Sequence, residues 1–392
     1  EMTSSLVGSE MCIRDRYISV PPLFRPALNH LSSTSERLPR LASLDALRGL
    51  DMLVILGLDA LILLLASRAP GNGPLNTAAI QMTHAGWQGL RLYDLVFPVF
   101  VFIAGVSMSF SLSRHADEKT GPGPGLLKIW KRASLLVLLG MLVNGPLTWT
   151  EDMRYASVLG LIGLSCAMGG TCVLLLRRRK AITAAAGGIL ALVALLQFSG
   201  GDFTPSGSVN SWLDAHMLPG SLHGGTFDPE GPLCIISAAA LCLGGWLAGS
   251  FLQDGRVPPV RRVLLMLAAG ACLFGTAWGL DGIYPIIKKM WTGTFVLAAA
   301  GVSLMLLALF HLLIDVWKFR LWTFPLRIIG LNALAAYLIY QLLNIHSLNQ
   351  RIFSGAADLF PPFQPVFLAV TLLLLQWLIL FFFYKRSIFI RL

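Results

Sequence analysis

The sequence predicts an all-α fold, a polytopic bundle of about ten transmembrane helices with both termini in the cytoplasm. Composition gives the first indication: 55% of the 392 residues are hydrophobic, 13% are charged, and the mean hydropathy is +0.70. Soluble domains carry about 25% charged residues to solvate their surface. The second indication is a recurrence of apolar runs close to the ~20 residues that cross a ~30 Å hydrocarbon layer.

Each of these runs must be a helix, because lipid offers no hydrogen-bond partner to an exposed backbone. The predicted spans are residues 46–66, 93–113, 132–147, 155–176, 181–199, 232–252, 260–280, 291–316, 323–343 and 364–384.

Basic residues divide unevenly between the loops when the N-terminus is placed in the cytoplasm. The cytoplasmic set is Arg114, Lys119, Lys128, Lys131, Arg132, Arg177, Arg178, Arg179, Lys180, Arg256, Arg261, Arg262, Lys318, Arg320, Lys385, Arg386 and Arg391. The opposite side holds Arg68, Arg91, Arg154, Lys288, Lys289 and Arg351. This asymmetry is the positive-inside pattern. The formal net charge of +10 therefore predicts contact with anionic membrane lipid, and no nucleic-acid partner.

Three segments are predicted along the chain. Residues 1–16 contain SSLVGSEMCIRDR, which resembles a translated sequencing adapter, so we expect the fold to begin after them. Residues 17–44 are rich in proline, serine and threonine and are predicted to be a cytoplasmic lead-in. Residues 45–392 form the predicted transmembrane domain. Five of the six cysteines lie in apolar spans without a CxxC or Cys/His pattern, so neither a disulfide nor a metal site is predicted.

His84 is the strongest candidate for chemistry. It lies in MTHAGWQGLRLYDLVFP, a polar, aromatic stretch that leads into the second span on the predicted outer side. A histidine can exchange a proton or carry an acyl group near neutral pH. The alternative is that His84 only sits in an interfacial belt beside Trp87 and Tyr93. Asp94, in the first turn of the same span, is either an active-site residue or a charge favoured by the helix dipole.

A second polar loop, residues 199–231, is predicted on the same side. It holds Asp228 and Glu230 and contains no lysine or arginine. These two acids either bind a cationic substrate group or cap the following helix. His216 and His223 are predicted to be solvated loop residues.

The first span is unusually charged for a membrane helix. Arg48 lies three residues from both Asp45 and Asp51, which is close enough for pairing, and Asp59 lies further toward the outer face. Charges inside a bilayer usually face a partner or a water-filled cavity, so this helix is predicted to line a polar path. Arg48 either contacts a phosphate of a nucleotide substrate, snorkels to the headgroups, or forms an ion pair.

Five blocks in order resemble the transmembrane domain of the heparan-α-glucosaminide N-acetyltransferase family, and its bacterial members more closely. They are RLASLDALRG at 40–49, HAGWQGLRLYDLVFPVFVFIAGVS at 84–107, FDPEG at 227–231, KKMWT at 288–292 and GLNALAAY at 330–337. The chain departs from the family at Gly160 and Leu161, where the family often has an arginine, and at Tyr340, where the animal enzyme has a histidine.

The resemblance implies that residues 45–392 are a transmembrane acyltransferase domain. It implies transfer of an acetyl group from cytosolic acetyl-CoA to the amine of an amino sugar, a terminal glucosamine, across the membrane. His84 falls on the family's catalytic histidine, and Asp59 falls where the animal enzymes have an active-site asparagine. A homodimer and a place in the bacterial inner membrane are also implied.

The chemistry of acetyl transfer assigns the remaining residues. A protonated amine must lose a proton before it attacks a thioester, which calls for a base, His84, and a carboxylate that holds the ammonium, Asp228 or Glu230. The predicted catalytic residues are His84 and Asp59, and the predicted cofactor contact, to acetyl-CoA, is Arg48. The predicted substrate contacts are Asp228, Glu230, Asp94, Trp87, Asn332 and Lys288.

Two mechanisms and two other functions stay open from the sequence. Direct transfer in a ternary complex and a route through acetyl-imidazole on His84 both fit. A proton-coupled sugar or peptide transporter would explain the intramembrane carboxylates. An O-acyltransferase of envelope sugars would share the acyl transfer across the membrane but not the amine acceptor.

Overall fold

A computed structural model of the chain describes residues 41–112, 121–145 and 153–390. The predicted adapter segment at 1–16 and residues 17–40 of the lead-in lie outside this part. The described residues contain no β-strand, only an isolated bridge between Arg154 and Gly220. Their α-helices are α1 (Ala42–Leu53), α2 (Asp59–Arg68), α3 (Gly73–Gln81), α4 (Leu92–Leu112), α5 (Gly123–Asn144), α6 (Val158–Leu176), α7 (Arg179–Ser199), α8 (Val209–Met217), α9 (Pro232–Leu252), α10 (Pro259–Leu280), α11 (Gly293–Phe310), α12 (Phe324–Leu331), α13 (Ala333–Leu342), α14 (Ile345–Ala357) and α15 (Gln364–Lys385).

The all-α membrane fold predicted from the sequence is confirmed. Within the described ranges, eight helical segments are long and apolar enough to cross a membrane, or nine if the pair α12 and α13, bent by 64°, forms one span. Helix α5 is not among them although it has 22 residues, because Lys128, Lys131 and Arg132 interrupt its first half. The predicted third span, 132–147, covers only its apolar second half.

The first span runs through α1 and α2 and is broken between them. A π-helical turn at Val54–Leu58 joins the two helices, and Gly57 within it has φ +124°, a conformation that favours glycine. Gln376 of α15 donates a 3.0 Å hydrogen bond to the carbonyl of Leu56 beside the break. The break directly precedes Asp59, the first residue of α2, and so determines the position of this side chain. Such π-turns are frequent at functional sites.

Helices α4 and α9 form the centre of the bundle and run parallel. Gly105 and Gly245 allow their backbones to meet, because a Cβ at Gly105 would lie 2.0 Å from the carbonyl oxygen of Cys242 and one at Gly245 would lie 2.1 Å from that of Phe102. Small residues at helix interfaces permit this close packing in membranes. The two helices therefore begin at one end of the bundle, here called the His84 end.

The opposite end, called the Arg48 end, is defined by α1, α4 and α9. Arg48 donates a 2.8 Å hydrogen bond to Ser107, and Gln253 donates a 2.9 Å hydrogen bond to Ser109. Ser107 lies thirteen residues after Asp94, which corresponds to about 20 Å along α4. The two ends thus carry separate polar groups.

Candidate active site

The loop between α3 and α4, residues 82–91, carries His84 at the His84 end. Gln81 closes α3 and its side-chain oxygen accepts a 3.1 Å hydrogen bond from the amide of Leu92, the first residue of α4. Gly89 has φ +108°, and its amide donates to the carbonyl of Ile286 at 2.9 Å. This bond fastens the loop to the segment that precedes Lys288. The chain thus turns sharply between α3 and α4, and the segment at Ile286 holds the turn in place.

Asp94 fixes both the loop and the imidazole. Its Oδ2 accepts hydrogen bonds of 3.1 Å from the amide of Ala85 in the loop and from that of Arg91, the residue before α4. Its Oδ1 lies 2.8 Å from His84 Nδ1. The carboxylate is 1% exposed, whereas the side chain of His84 is 52% exposed. Asp94 can therefore serve both as a negative charge at the start of α4 and as the partner of His84.

Lys288 completes this group. Its Nζ lies 3.4 Å from Asp94 Oδ1 and 3.1 Å from His84 Nδ1. Two amide donors and an ammonium group favour the ionised form of Asp94, and an ionised carboxylate can only accept. We therefore assign the hydrogen between Nδ1 and Oδ1 to the imidazole, and Nε2 is the ring nitrogen that can accept a proton.

The electrostatic state of Lys288 is set by two opposing effects. Burial lowers the pKa of its ammonium, and the negative charge of Asp94 opposes that decrease without cancelling it. The pKa of Lys288 therefore lies below its ordinary value. The residue is held beside the imidazole as a partly desolvated cation, an arrangement that strengthens its interaction with any negative charge nearby.

Lys289, the next residue, connects three segments of the site. Its Nζ donates a 2.6 Å hydrogen bond to the carbonyl of Gly86 and lies 5.7 Å from the ring of Trp87 and 6.0 Å from the ring of Phe227. Trp87 itself donates from Nε1 to the carbonyl of Phe203 at 2.6 Å. The aromatic rings of Trp87 and Phe227 meet edge to face at 5.0 Å. The predicted substrate contact Trp87 thus lies within an aromatic wall beside His84.

Tyr93 brings Asp59 into the same region. Its ring lies 4.7 Å from the imidazole of His84, and its hydroxyl is within hydrogen-bonding reach of the Asp59 carboxylate. Tyr340 of α13 lies near Asp59 as well. Asp59 therefore approaches His84 through Tyr93 rather than by direct contact.

The acids of the FDPEG motif have a partner that the sequence analysis did not assign to them. Arg154 donates to both oxygens of Asp228, from Nε at 2.8 Å and from an Nη at 2.7 Å, and also hydrogen-bonds to Glu230. Asp228 is fully buried and accepts further bonds from the amides of His223 and Glu230. The expectation that no cation neutralises these acids is wrong, because Arg154 reaches them from a different segment.

Burial and the charge of Arg154 shift the pKa values of the two acids in opposite directions. Burial alone would raise the pKa of Asp228, but its bonds to Arg154 outweigh that effect and lower it. Burial raises the pKa of Glu230 to about 7, against the attraction of Arg154. Burial likewise raises the pKa of Asp214 to about 7, and its Oδ2 accepts from the amide of Asp228 at 2.8 Å. Asp228 is therefore the permanent partner of Arg154, while Glu230 changes charge near neutral pH.

Two predicted contacts lie away from His84. Asn332 is buried between α12 and α13, and its side chain bonds to the backbone of Ile388 and Ile390 at 3.1 Å each. Gly330, two residues earlier, packs against the backbone of Asp45, so Asn332 belongs to the Arg48 end. Asn332 therefore lies apart from His84 with its amide bonded to the C-terminal segment, and its role as a substrate contact stays a prediction.

Arg48 also lies at the far end. Its ion pair is with Asp45, at 3.4 Å, whereas Asp51 is buried with one carboxylate oxygen that has no hydrogen-bond partner. The predicted pairing of Arg48 with Asp51 is thus not formed.

Metal ligands are not gathered in the described ranges. No group of three His, Cys, Asp or Glu side chains there could hold a metal ion.

The chain is similar to known N-acetyltransferases. Residues 40–212 match the family model described as "Heparan-alpha-glucosaminide N-acetyltransferase, catalytic". The human heparan-alpha-glucosaminide N-acetyltransferase is 25% identical over 405 residues, covering 86% of this chain. The mouse protein of that name is 23% identical over 407 residues, covering 87% of it. The family model and both relatives support the resemblance to the heparan-α-glucosaminide N-acetyltransferase-like family that the sequence blocks indicate.

The matches cover the relatives and the candidate site only in part. The chain spans 58% of the length of each of these two relatives. The family model includes His84, Asp94, Asp59 and Arg154, whereas Glu230 and Lys288 lie beyond it. The site therefore combines a segment that the family model covers with loops that only the whole-chain alignments reach.

Several residues of this site carried no clear signal in the sequence. Arg154 stood out only as one of six basic residues on the predicted outer side. Lys289 belonged to the KKMWT block without a role of its own. Gln197 and Asn210 both donate hydrogen bonds to the carbonyl of Met290, in the turn that carries Lys288, yet each is a single amide in an otherwise ordinary segment. Only their position in space identifies them.

Proposed function

We propose that this protein is a membrane-embedded acetyltransferase that moves an acetyl group from cytosolic acetyl-CoA to the amine of an amino sugar on the extracytoplasmic side. The observation that carries the proposal is the group formed by His84, Asp94 and Lys288. A half-exposed imidazole whose Nδ1 is held by a buried carboxylate is poised to accept a proton at Nε2. The matches to the family model and to the two relatives support acetyl transfer as the reaction in which that base is used.

The reaction balances with the residues present. His84 Nε2 removes a proton from the ammonium of the acceptor, and Asp94 stabilises the imidazolium that forms. The free amine attacks the carbonyl carbon of the thioester, so that a C–N bond forms as the C–S bond breaks. The CoA thiolate leaves and takes the second proton that the acylated nitrogen must lose, so that a neutral amide and the free thiol form, and the imidazolium of His84 then releases its proton to water. Lys288, a partly desolvated cation 3.1 Å from His84, stabilises negative charge that develops on the acetyl oxygen.

The acceptor site is proposed between the two polar clusters. Trp87 and Phe227 offer aromatic faces on which a sugar ring can pack, and Glu230 provides a carboxylate for the ammonium. Asp228 is assigned a different role from the one that the sequence suggested. Its oxygens bind Arg154 and backbone amides, so we propose that it shapes the loop and leaves substrate binding to Glu230.

The donor is proposed to enter from the Arg48 end, on the cytoplasmic side. Acetyl-CoA supplies the acetyl group as a thioester and carries several phosphates, which the basic residues predicted at that side would attract. Arg48 already bonds Asp45 and Ser107, with 23% of its side chain exposed. Arg48 can contact a phosphate at the entrance if its guanidinium binds the phosphate with its remaining N–H groups and keeps its bonds to Asp45 and Ser107. Asp59 is proposed to act from the donor side through Tyr93.

The assignment to a bacterial inner membrane and the formation of a homodimer are further proposals that rest on the family resemblance alone. Neither enters the chemistry above, because all the groups that it uses belong to one chain.

Purified protein incubated with acetyl-CoA and a panel of amino sugars and envelope fragments tests the proposal. Mass spectrometry should detect an N-acetylated amino sugar whose formation requires the protein. Products acetylated only on oxygen would instead identify an envelope O-acyltransferase. Absence of every acetylated product, together with uptake of a sugar or peptide into proteoliposomes driven by a proton gradient, would identify a transporter.

A further inference from the structure

The turn that carries Lys288 is held from behind by two buried amide side chains. The carbonyl of Met290, at the end of the 3₁₀ turn Lys288–Met290, accepts hydrogen bonds from Gln197 Nε2 at 3.0 Å and from Asn210 Nδ2 at 3.2 Å. Gln197 Nε2 also donates to Asn210 Oδ1 at 2.9 Å. Gln197 belongs to the outer end of α7 and Asn210 to α8, so two helices converge on one carbonyl.

A tyrosine completes the arrangement. The hydroxyl of Tyr284 donates to Gln197 Oε1 and accepts from the amide of Gly293 at 2.8 Å. Gln197 is 0% exposed and Asn210 1% exposed. In each side-chain amide, both the oxygen and the nitrogen have hydrogen-bond partners. Buried amides are costly when unsatisfied, but a satisfied buried network specifies one geometry. This network therefore determines where the turn sits.

The backbone after the turn is strained, which makes such support necessary. Trp291 has φ +48°, a left-handed conformation that a bulky residue rarely adopts. Its ring is almost fully buried and meets Phe97 at 5.7 Å and Phe295 at 5.4 Å. Strained residues persist where their surroundings fix them, and they cluster at functional sites.

We propose that Gln197 and Asn210 are positioning residues of the active site, which set the place of Lys288 Nζ against the His84–Asp94 pair by fixing the Met290 carbonyl. Neither side chain touches substrate in this account. The inference rests on the proposed function, because the consequence of misplacing Lys288 is lost acetyl transfer. It adds a residue set that lies outside the aromatic wall and outside the Arg154 cluster.

Gln197→Glu tests the proposal with the smallest change of shape, because a carboxylate cannot donate to the Met290 carbonyl. With acetyl-CoA and glucosamine as the probe acceptor, kcat should fall about 10- to 100-fold, the loss typical of misplacing a catalytic group by about 1 Å. The KM for acetyl-CoA should stay within about threefold of wild type. In a Lys288→Met background, Gln197→Glu should cause no further loss, since its effect passes through Lys288.

The matched control is Gln253→Glu. Gln253 also joins two helices through its amide, to Ser109, but at the Arg48 end. The variant should leave kcat within about twofold, because Gln253 lies at the opposite end of the bundle from His84 and Lys288, and any effect on donor entry should fall on the KM for acetyl-CoA. Equal losses in the two glutamate variants, or losses that multiply in the double variant with Lys288→Met, would overturn the proposal. Tyr284→Phe, which removes only the hydroxyl that orients Gln197, should show a smaller loss of the same kind if Gln197→Glu does not fold.

A second readout separates this inference from the proposed function. Diethyl pyrocarbonate acylates neutral imidazole nitrogens, and mass spectrometry can locate the product on His84 and on the exposed His216. Lys288 Nζ lies 3.1 Å from His84 Nδ1, so its displacement in Gln197→Glu should change the rate of His84 modification relative to that of His216 by about threefold or more. An unchanged ratio would overturn the positioning role. A changed ratio without any acetylated sugar would uphold it and count against the acetyltransferase.

Discussion

His84 Nδ1 lies 2.8 Å from Asp94 Oδ1, and the two residues are separated by ten positions across a loop and the start of α4. The same carboxylate caps the loop through the amides of Ala85 and Arg91. The aspartate thereby orients the imidazole and fixes its tautomer, the role that a carboxylate has beside a general-base histidine.

Asp94→Asn should reduce kcat by at least about 10²-fold, because an amide can hold His84 in the wrong tautomer and no longer stabilises an imidazolium. The measurement is steady-state acetylation of the acceptor found in the amino-sugar panel. Asp202→Asn is the control, since Asp202 also lies in a loop and accepts backbone and hydroxyl hydrogen bonds, from Thr204. Comparable activity losses in the two variants would contradict the role given to Asp94.

Lys288→Met should lower kcat about 10²-fold, the usual cost of removing one donor that stabilises a developing oxyanion. Lys289→Met changes the neighbouring lysine of the same turn and removes its hydrogen bond to the Gly86 carbonyl and a cation–π contact, each worth about 0.5–1 kcal/mol. It should therefore lower kcat less than Lys288→Met does. Both variants are compared in kcat and in KM for acetyl-CoA. A larger effect at Lys289 than at Lys288 would show that the wrong lysine has been assigned to the chemistry.

Arg154→Met should destabilise the protein by roughly 3–5 kcal/mol, because it leaves the buried carboxylate of Asp228 without its partner. Thermal unfolding in detergent measures the effect. Arg179→Met is the matched control, since the Arg179–Asp254 pair, 51% and 24% exposed, is open to solvent and such pairs contribute about 0–1 kcal/mol. Adding Asp228→Asn to Arg154→Met should restore part of the loss. If Arg154→Met keeps full stability and only weakens acceptor binding, the cluster is a binding site rather than a support.

Glu230→Gln should change how stability depends on pH. The pKa of Glu230 is raised to about 7 by burial, from an ordinary value of 4.5, so the folded protein binds this proton more tightly than the unfolded chain. Stability from this group is full below about pH 4.5 and is lost as pH rises through about 7. The melting temperature of Glu230→Gln should therefore gain on that of wild type between pH 5.5 and 8.5. A difference that stays constant across this range would contradict the raised pKa.

Much of the fold could be predicted from the sequence because hydropathy is a local property. The predicted spans 232–252 and 260–280 coincide with α9 and α10 to within one residue. The break between α1 and α2 could not be predicted, because a π-turn depends on Gln376, more than three hundred residues away, to bond a freed carbonyl. Helix α5 was underestimated because its basic first half resembles a loop.

The candidate site was predictable only in part. His84 stood out by residue type and placement, and its partner Asp94 lay close enough in sequence to be considered. Arg154 is 74 residues from Asp228, and nothing local indicates that the two meet. Asn332 lies in a matching block, yet its amide holds the backbone near the C-terminus. Long-range pairing in three dimensions decides these cases.

The most direct test of the central claim is acetyl transfer across the membrane of oriented proteoliposomes. Acetyl-CoA is supplied on the cytoplasmic face and the acceptor amino sugar on the opposite face, with wild-type protein and with His84→Ala. We predict N-acetylated sugar from the wild type, and a loss of about 10²- to 10⁴-fold with His84→Ala although the variant folds and inserts normally. Equal transfer with both substrates on the outer face, or more than about a tenth of wild-type turnover in His84→Ala, would contradict the account.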